Sequence, residues 1–291
     1  MSVLNGSWQH KFLTTNGVKL HYVTQGKGDL VLLLHGFPEF WYSWRYQIPE
    51  LAKYYQVVAV DMRGYNESDK PDRLEAYRLK ELLGDVRGII RALGHRQCIL
   101  AGHDWGGFIA WEFAYEYPEM VENLIALNMP HPAKFGESLR DNPQQMLKSW
   151  YILAFQVPFL PEFVFQWNDY DVVAKAFQSM AIDKTTFSQE DIAAYKDAIA
   201  KPGALTAMLN YYRNILPNLT HERDRGILTI PTLTIWGEED KVLGKELTYG
   251  TEAYVRDFTI HYIPKCSHWV QQEQPQLVNQ YILEFLGHSQ N

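Results

Sequence analysis

The chain has 291 residues, 46% of them hydrophobic, and a formal net charge of −7 at neutral pH. That length and apolar content suit one large α/β domain, or a core domain carrying an insertion. A negative balance without any basic cluster argues against nucleic acid or an anionic membrane surface as partner, and no apolar run reaches membrane-spanning length.

The opening Met1-Ser2-Val3-Leu4-Asn5-Gly6-Ser7-Trp8 has neither the basic region nor the apolar block of a signal peptide. Lys19-Leu20-His21-Tyr22-Val23 alternates like an early antiparallel strand. The continuous apolar run 30–34 reads as a buried parallel strand ending at His35-Gly36. Val57-Val58-Ala59-Val60 is a further strand, feeding the turn at Asp61-Met62-Arg63-Gly64, where Asp61 and Arg63 read as turn and ion-pair residues. Leu79, Leu82, Leu83, Val86, Ile89, Ile90 and Leu93 follow helical spacing, closed by Gly94. A strand through Ile99 and Leu100, a helix stopped before Pro118 and a strand over 124–127 follow. Short apolar runs alternating with helical patterns predict a largely parallel sheet covered by helices, an α/β fold.

Past His131-Pro132 that alternation stops. Residues 133–223 read as helices rich in Trp, Tyr and Phe, an insertion of about ninety residues. Strand signals return at Thr232-Leu233-Thr234-Ile235-Trp236 and over 258–263, and a last helix spans roughly 276–286. The expected division is a core of residues 1–132 and 224–291 with a helical domain of 133–223 between them. An insertion placed there can fold over the carboxyl ends of the strands, where ligands of such sheets bind. The only cysteines are Cys98, in a predicted buried strand, and Cys266, in a late loop, so a reduced, cytoplasmic protein is expected.

The chemistry centres on Gly102-His103-Asp104-Trp105-Gly106-Gly107. Small residues two positions either side of Asp104, between a strand and a helix, have the spacing of a nucleophile elbow, Gly-x-nucleophile-x-Gly. An Asp among glycines also serves as a turn former or helix cap. As a nucleophile it is ionised without a helper base and leaves an enzyme ester after displacement at carbon. On an ester carbonyl it would form a mixed anhydride that reverts, so the fitting electrophile is a saturated carbon bearing a leaving group. The partners should follow in the order acid, then histidine. Among the histidines after Asp104, His268 sits just past the last strand, whereas His261 lies within it, His221 before a strand and His288 near the tail. Spacing leaves Glu238, Glu239 and Asp240 as equal candidates for the acid.

These segments resemble the α/β-hydrolase fold, and within it the epoxide hydrolases of the soluble type, over nearly the whole chain from about Trp8 to Leu286. His35-Gly36-Phe37-Pro38 resembles that family's oxyanion motif, in which the proline is typically cis, and Trp236-Gly237-Glu238-Glu239-Asp240 its acid segment, which selects Asp240. Cys266-Ser267-His268-Trp269 is similar to the histidine segment, with Ser267 where Gly is common. In the insertion, Tyr151-Ile-Leu-Ala-Phe-Gln156 and Leu209-Asn210-Tyr211-Tyr212-Arg213-Asn214 resemble two cap helices, each supplying a ring-opening tyrosine at Tyr151 and Tyr212.

The resemblance implies attack by Asp104 on an epoxide carbon while Tyr151 and Tyr212 bond the ring oxygen. Water deprotonated by His268, itself held by Asp240, then hydrolyses the ester, and the backbone N–H groups of Phe37 and Trp105 stabilise the oxyanion. Phe37 and Trp105 would also contact the substrate. No metal or organic cofactor is implied, and the expected partners are a small apolar epoxide and water, on a monomer or homodimer away from membranes. Because His268 must be neutral to act, hydrolysis is expected to decline below roughly pH 6–7. The nearest alternative is a haloalkane dehalogenase, which shares the Asp nucleophile and often the Trp following it, here Trp105, and whose halide is commonly held by that Trp with an Asn or Glu after His-Gly. Phe37 offers no side-chain donor, which leaves Trp150 or Trp167 for that role. An esterase is disfavoured by the absence of any Gly-x-Ser-x-Gly. The alternative outside enzymes is a non-catalytic receptor or binding protein on the same fold.

Overall fold

A computed structural model describes residues 4–215 and 226–288. Among these, β1 (Gln9–Thr15), β2 (Val18–Gln25), β3 (Leu30–Leu34), β4 (Gln56–Val60), β5 (Cys98–His103), β6 (Val121–Leu127), β7 (Thr232–Gly237) and β8 (Phe258–Ile263) form one sheet. Their order is β1-β2-β4-β3-β5-β6-β7-β8. The β1-β2 and β2-β4 pairs are antiparallel, and every pair from β4 to β8 is parallel. The central strands β3 and β5 are buried along their whole length, which is why they read as unbroken apolar runs rather than alternating ones.

Besides single-turn helices at Ile48–Leu51 and Val270–Glu273, the core carries α1 (Leu79–Ala92) and α2 (Trp105–Glu116). Between β6 and β7 follow α3 (Pro132–Asp141), α4 (Pro143–Lys148), α5 (Trp150–Ala154), α6 (Leu160–Gln166), α7 (Asp171–Met180), α8 (Gln189–Ala200) and α9 (Ala204–Arg213). The chain closes with α10 (Pro275–Phe285). The sequence boundary expected at 223 and 224, like His221, lies outside the described residues.

Among the described residues the predicted strands all occur, with one added. The strand β1 has no apolar alternation because it is an edge strand whose residues are mostly exposed, pairing with β2 alone. Its sequence therefore carries no burial signal.

The inserted helices sit over the carboxyl edge of the sheet because they bond to the loops that leave it. After β3, the Tyr42 hydroxyl donates to Asp191 of α8 at 2.7 Å. In the loop after β4, the Arg63 carbonyl accepts from the Tyr211 hydroxyl of α9, also at 2.7 Å. Arg63 is itself fixed by a buried bidentate pair with Asp85, at 2.8 and 2.5 Å. Asp61 accepts from His21, Asn66 and the Trp41 backbone, so both residues of that turn are spent on structure.

One residue, Asp104, separates β5 from α2, and it turns the chain with φ 49° and ψ −119°. The turn closes only because Gly106 lies against the neighbouring strand: a Cβ there would stand 2.2 Å from the Leu34 carbonyl oxygen. That contact is with backbone, which cannot rotate away. Gly106→Ala should therefore cost about 3 kcal/mol, the upper end of ordinary overpacking. Urea denaturation measures this, and an unchanged midpoint would contradict the packing described.

Candidate active site

Asp104 leaves the turn at the carboxyl edge of the sheet, beside the loop that follows β3. Its Oδ1 accepts from the Phe37 backbone N–H at 2.8 Å. That loop contains the cis Phe37-Pro38 bond. A Cβ on Gly36 would come within 2.5 Å of the Asp104 Cβ, so the backbone approaches the carboxylate as closely as it does only because residue 36 is glycine. The Trp105 backbone N–H is the first of α2, where helix geometry provides no intrahelical acceptor. Phe37 and Trp105 thus present two backbone donors beside one carboxyl group.

Across from Asp104 stands His268, in the loop after β8. Its Nε2 is 3.6 Å from the Asp104 Oδ2, a charge contact longer than a hydrogen bond. Its Nδ1 lies 2.7 Å from the Asp240 Oδ2. Asp240 is the acid turned inward: Oδ1 accepts from the backbone N–H groups of Val242 and Leu243 at 2.7 and 2.9 Å, and Oδ2 also accepts from Asn128 at 2.7 Å. Glu238 instead pairs with Lys245, and Glu239 is exposed.

Three buried titratable groups therefore share one site. Burial alone would raise Asp104, but hydrogen bonding and the charge of His268 outweigh it and hold the carboxyl below its usual range. Asp240 is lowered in the same way, against its burial, by the His268 charge and its ring of donors. Burial opposes a charged imidazole at His268, yet Asp240 and Asp104 together push it up to about 10. This corrects the expectation of a neutral imidazole near pH 7. Both carboxylates thus favour the charged imidazole while Asp104 is ionised.

Sequence reasoning missed the polar network beneath this triad. Glu39 is fully buried; its Oε2 accepts from the Gly36 N–H and contacts His103 Nδ1, both at 2.8 Å. Its Oε1 accepts from the Gln271 and Gln272 amides at 3.1 and 2.9 Å. His103 Nε2 meets the His268 carbonyl at 2.8 Å. Glu39 thereby ties the loop after β3, the end of β5 and the segment that follows His268 to one side chain. Asn128, just past β6, was missed as well. Its side chain accepts from the Gly237 N–H at 3.0 Å while donating to Asp240. A polar residue following a strand was the only available signal for it.

Tyr151 of α5 and Tyr212 of α9 form the opposite wall, with ring centroids 5.8 Å apart. The Tyr212 ring also packs edge-on against Phe37 and Trp105, at 5.4 and 5.0 Å. Burial first, and then the Asp104 charge, raises both phenols well above their ordinary value, so they stay protonated donors. The free space beside Asp104 is about 30 Å³, lined by Phe108, Met129 and Leu243 besides these aromatics. That holds about two waters. A roomier cleft of about 450 Å³ lies elsewhere, between Trp41 and α8, and contains none of these groups.

The structure brings Asp104, His268, Asp240, Tyr151, Tyr212, Phe37 and Trp105 to one place. It does not bring Trp150 or Trp167, which point outward and are 65% and 67% exposed. Neither indole is placed to hold a halide at Asp104. Among the described residues, no group of three or more His, Cys, Asp or Glu side chains is arranged to bind a metal, and no helix is long and apolar enough to cross a membrane.

Residues 29–275 match the alpha/beta hydrolase fold family. The chain is 44% identical to human epoxide hydrolase 4 over 278 residues, covering 93% of this chain and 76% of that protein. It is 43% identical to the AB hydrolase superfamily protein YfhM of Bacillus subtilis, over 95% of this chain and 97% of that one. An epoxide hydrolase from Bacillus megaterium, solved with an inhibitor, superposes with a TM-score of 0.90 at 38% identity, covering 95% of this chain and all of that one. By fold, by site geometry and by these relatives, the chain belongs to the α/β-hydrolase fold family, on its epoxide hydrolase branch.

Proposed function

We propose that this protein hydrolyses epoxides to vicinal diols through a covalent ester on Asp104, with residues 133–223 acting as a cap over the core of 1–132 and 224–291. One observation carries the reading: an ionised buried carboxylate at the elbow is faced by two protonated phenols, Tyr212 buried and Tyr151 partly buried. A halide leaves without a proton, whereas an alkoxide needs one, and two phenols supply it. Apolar epoxides suit the lining, and a variant of the Bacillus megaterium relative is described with its product (R)-3-[1]naphthyloxy-propane-1,2-diol. Any substrate wider than the space beside Asp104 displaces side chains of this wall on entry.

In the first step an Asp104 oxygen forms a bond to one epoxide carbon as the ring C–O bond breaks. The ring oxygen takes a proton from Tyr151 or Tyr212. Ester formation removes the Asp104 charge, so His268 loses one of the two anions that held its proton. That proton restores the phenol and leaves a neutral imidazole. Water then attacks the Asp104 carbonyl carbon while His268 takes its proton, and the Phe37 and Trp105 N–H groups receive the oxyanion. One good donor of this kind contributes about 3–4 kcal/mol. Collapse expels the diol oxygen, which recovers the proton from His268. The carboxylic acid left at Asp104 returns its own proton to the imidazole, and the resting ion pair reforms. Asp240 orients the ring and stabilises its cation throughout.

His268→Gln should leave alkylation intact and slow turnover by about 10²–10⁴. Mass spectrometry of this variant after exposure to an aryl epoxide should find a stable adduct on Asp104. A folded variant with no adduct contradicts the scheme.

Replacing both Tyr151 and Tyr212 by Phe should lower the ring-opening rate by at least about 10³, within the range of general acid catalysis. Stopped-flow single turnovers measure this, and near-normal opening would point to a different acid. Run on the unaltered protein, an aryl epoxide should yield diol while a short 1-haloalkane releases no halide. The opposite pattern would identify a dehalogenase.

The pH dependence follows from the charge arrangement. A histidine raised to about 10 in the folded state adds stability that is complete below its unfolded value near 6.5 and is lost as the pH rises through about 10. Asp104→Asn removes one anion, as the ester does, so His268 should titrate at clearly lower pH in that variant by nitrogen NMR. An unchanged titration near 10 would show that Asp104 does not hold the proton.

A further inference from the structure

The helices α4, α5 and α6 turn an apolar stripe to solvent. Leu147, Trp150 and Leu153 are spaced by three residues, and Leu160, Phe163 and Trp167 by three and four, the repeat that ordinarily marks the buried side of a helix. Here each is between 54% and 75% exposed. The rings of Phe163 and Trp167 touch, with centroids 5.7 Å apart.

The surface is held in shape. Arg213 donates to the Phe155 and Val157 carbonyls at 3.1 and 3.4 Å, and clasps Glu162 at 2.9 and 3.1 Å. It thus locks the end of α5 to the start of α6. Those contacts also use the only acid between 143 and 167, leaving Lys148 as the one charge on this stretch without a counter-ion there.

We propose that this face is where two copies of the chain meet, each presenting the same surface to the other. Area is the first argument. An aromatic side chain offers about 150–250 Å², so Trp150, Phe163 and Trp167, about two-thirds exposed, present on the order of 400 Å² before the three leucines are added. The largest apolar patch of a typical monomer is about 300–600 Å², and a stable interface needs about 800 Å² from each partner. Charge is the second. The chain as a whole carries −7, so copies repel one another over most of their surface, but here like meets like with almost no charge. The same balance disfavours a lipid surface, since helices that lie in a membrane interface carry Lys and Arg along their polar side. Apolar, aromatic and charge-depleted, the face has the composition of a homodimer core. Because α5 carries Tyr151 on its inner side, the partner copy would brace the wall that bears one phenol.

Sedimentation velocity of the full chain, from about 1 to 100 μM, tests this over the range in which an interface of that size should hold. The expected species has twice the 33.9 kDa chain mass. Trp150→Glu combined with Phe163→Glu should weaken the dimer at least 100-fold in dissociation constant, and Leu153→Lys alone should weaken it in the same direction. Phe12→Glu, which changes an exposed aromatic on β1 instead, should leave it intact. Thermal melts identify which variants are folded. A wild-type monomer at every concentration, or a dimer that survives the Trp150 and Phe163 changes in folded protein, overturns the proposal. So does a monomer that floats with phosphatidylcholine vesicles and loses that binding on Trp150→Glu, which would assign the face to lipid.

Discussion

Between the last residue of β5 and the first of α2 there is room for one residue, and Asp104 fills it with its backbone in the positive-φ region. A side chain held that way costs on the order of 1–3 kcal/mol, and persists only where the surroundings over-determine it. They do so here. Gly106 lies on the Leu34 backbone, Gly36 lies on the Asp104 side chain, and the Phe37 N–H grips its Oδ1. The consequence is direction. The carboxylate projects past the sheet edge into a space walled on one side by loops of the core and on the other by α5 and α9.

Charge balance then sets what that carboxylate can do. Two buried anions, Asp104 and Asp240, flank a single imidazole, and each of the three holds the others in their charged forms. The pair contacts are short enough that neutralising one anion must change the proton affinity of the histidine. An ester on Asp104 is such a neutralisation. In the proposed mechanism this couples the covalent step to activation of the base, while the phenols opposite remain donors because burial and the same carboxylate keep them protonated.

How much of this was legible beforehand depended on burial. Strands β3 to β7 were readable because residues packed on both faces must be apolar, β8 because its half-buried residues alternate, and the elbow because its glycines admit few substitutes. The edge strand β1 lacked that pattern. Nothing in the sequence singles out Glu39 as a residue that will be enclosed, since acids are ordinarily exposed; its carboxylate is enclosed by the loop after β3, the end of β5 and the helical turn Val270–Glu273. Spacing alone could not separate Glu238, Glu239 and Asp240, because the choice is made by the Val242 and Leu243 amides, which turn one carboxylate inward. In α4 to α6 the apolar side faces outward, so helical periodicity there does not mark the core.

The central claim is that the Asp104 carboxyl becomes the ester and that water attacks its carbonyl carbon rather than the substrate. A single turnover in heavy-oxygen water, with enzyme in excess over an aryl epoxide, tests this at the atom concerned. Peptide mass spectrometry should then find the label in Asp104, with the first diol formed carrying ordinary oxygen from the enzyme. Label confined to the diol, with Asp104 unchanged, would mean that water opens the ring directly and that no ester forms.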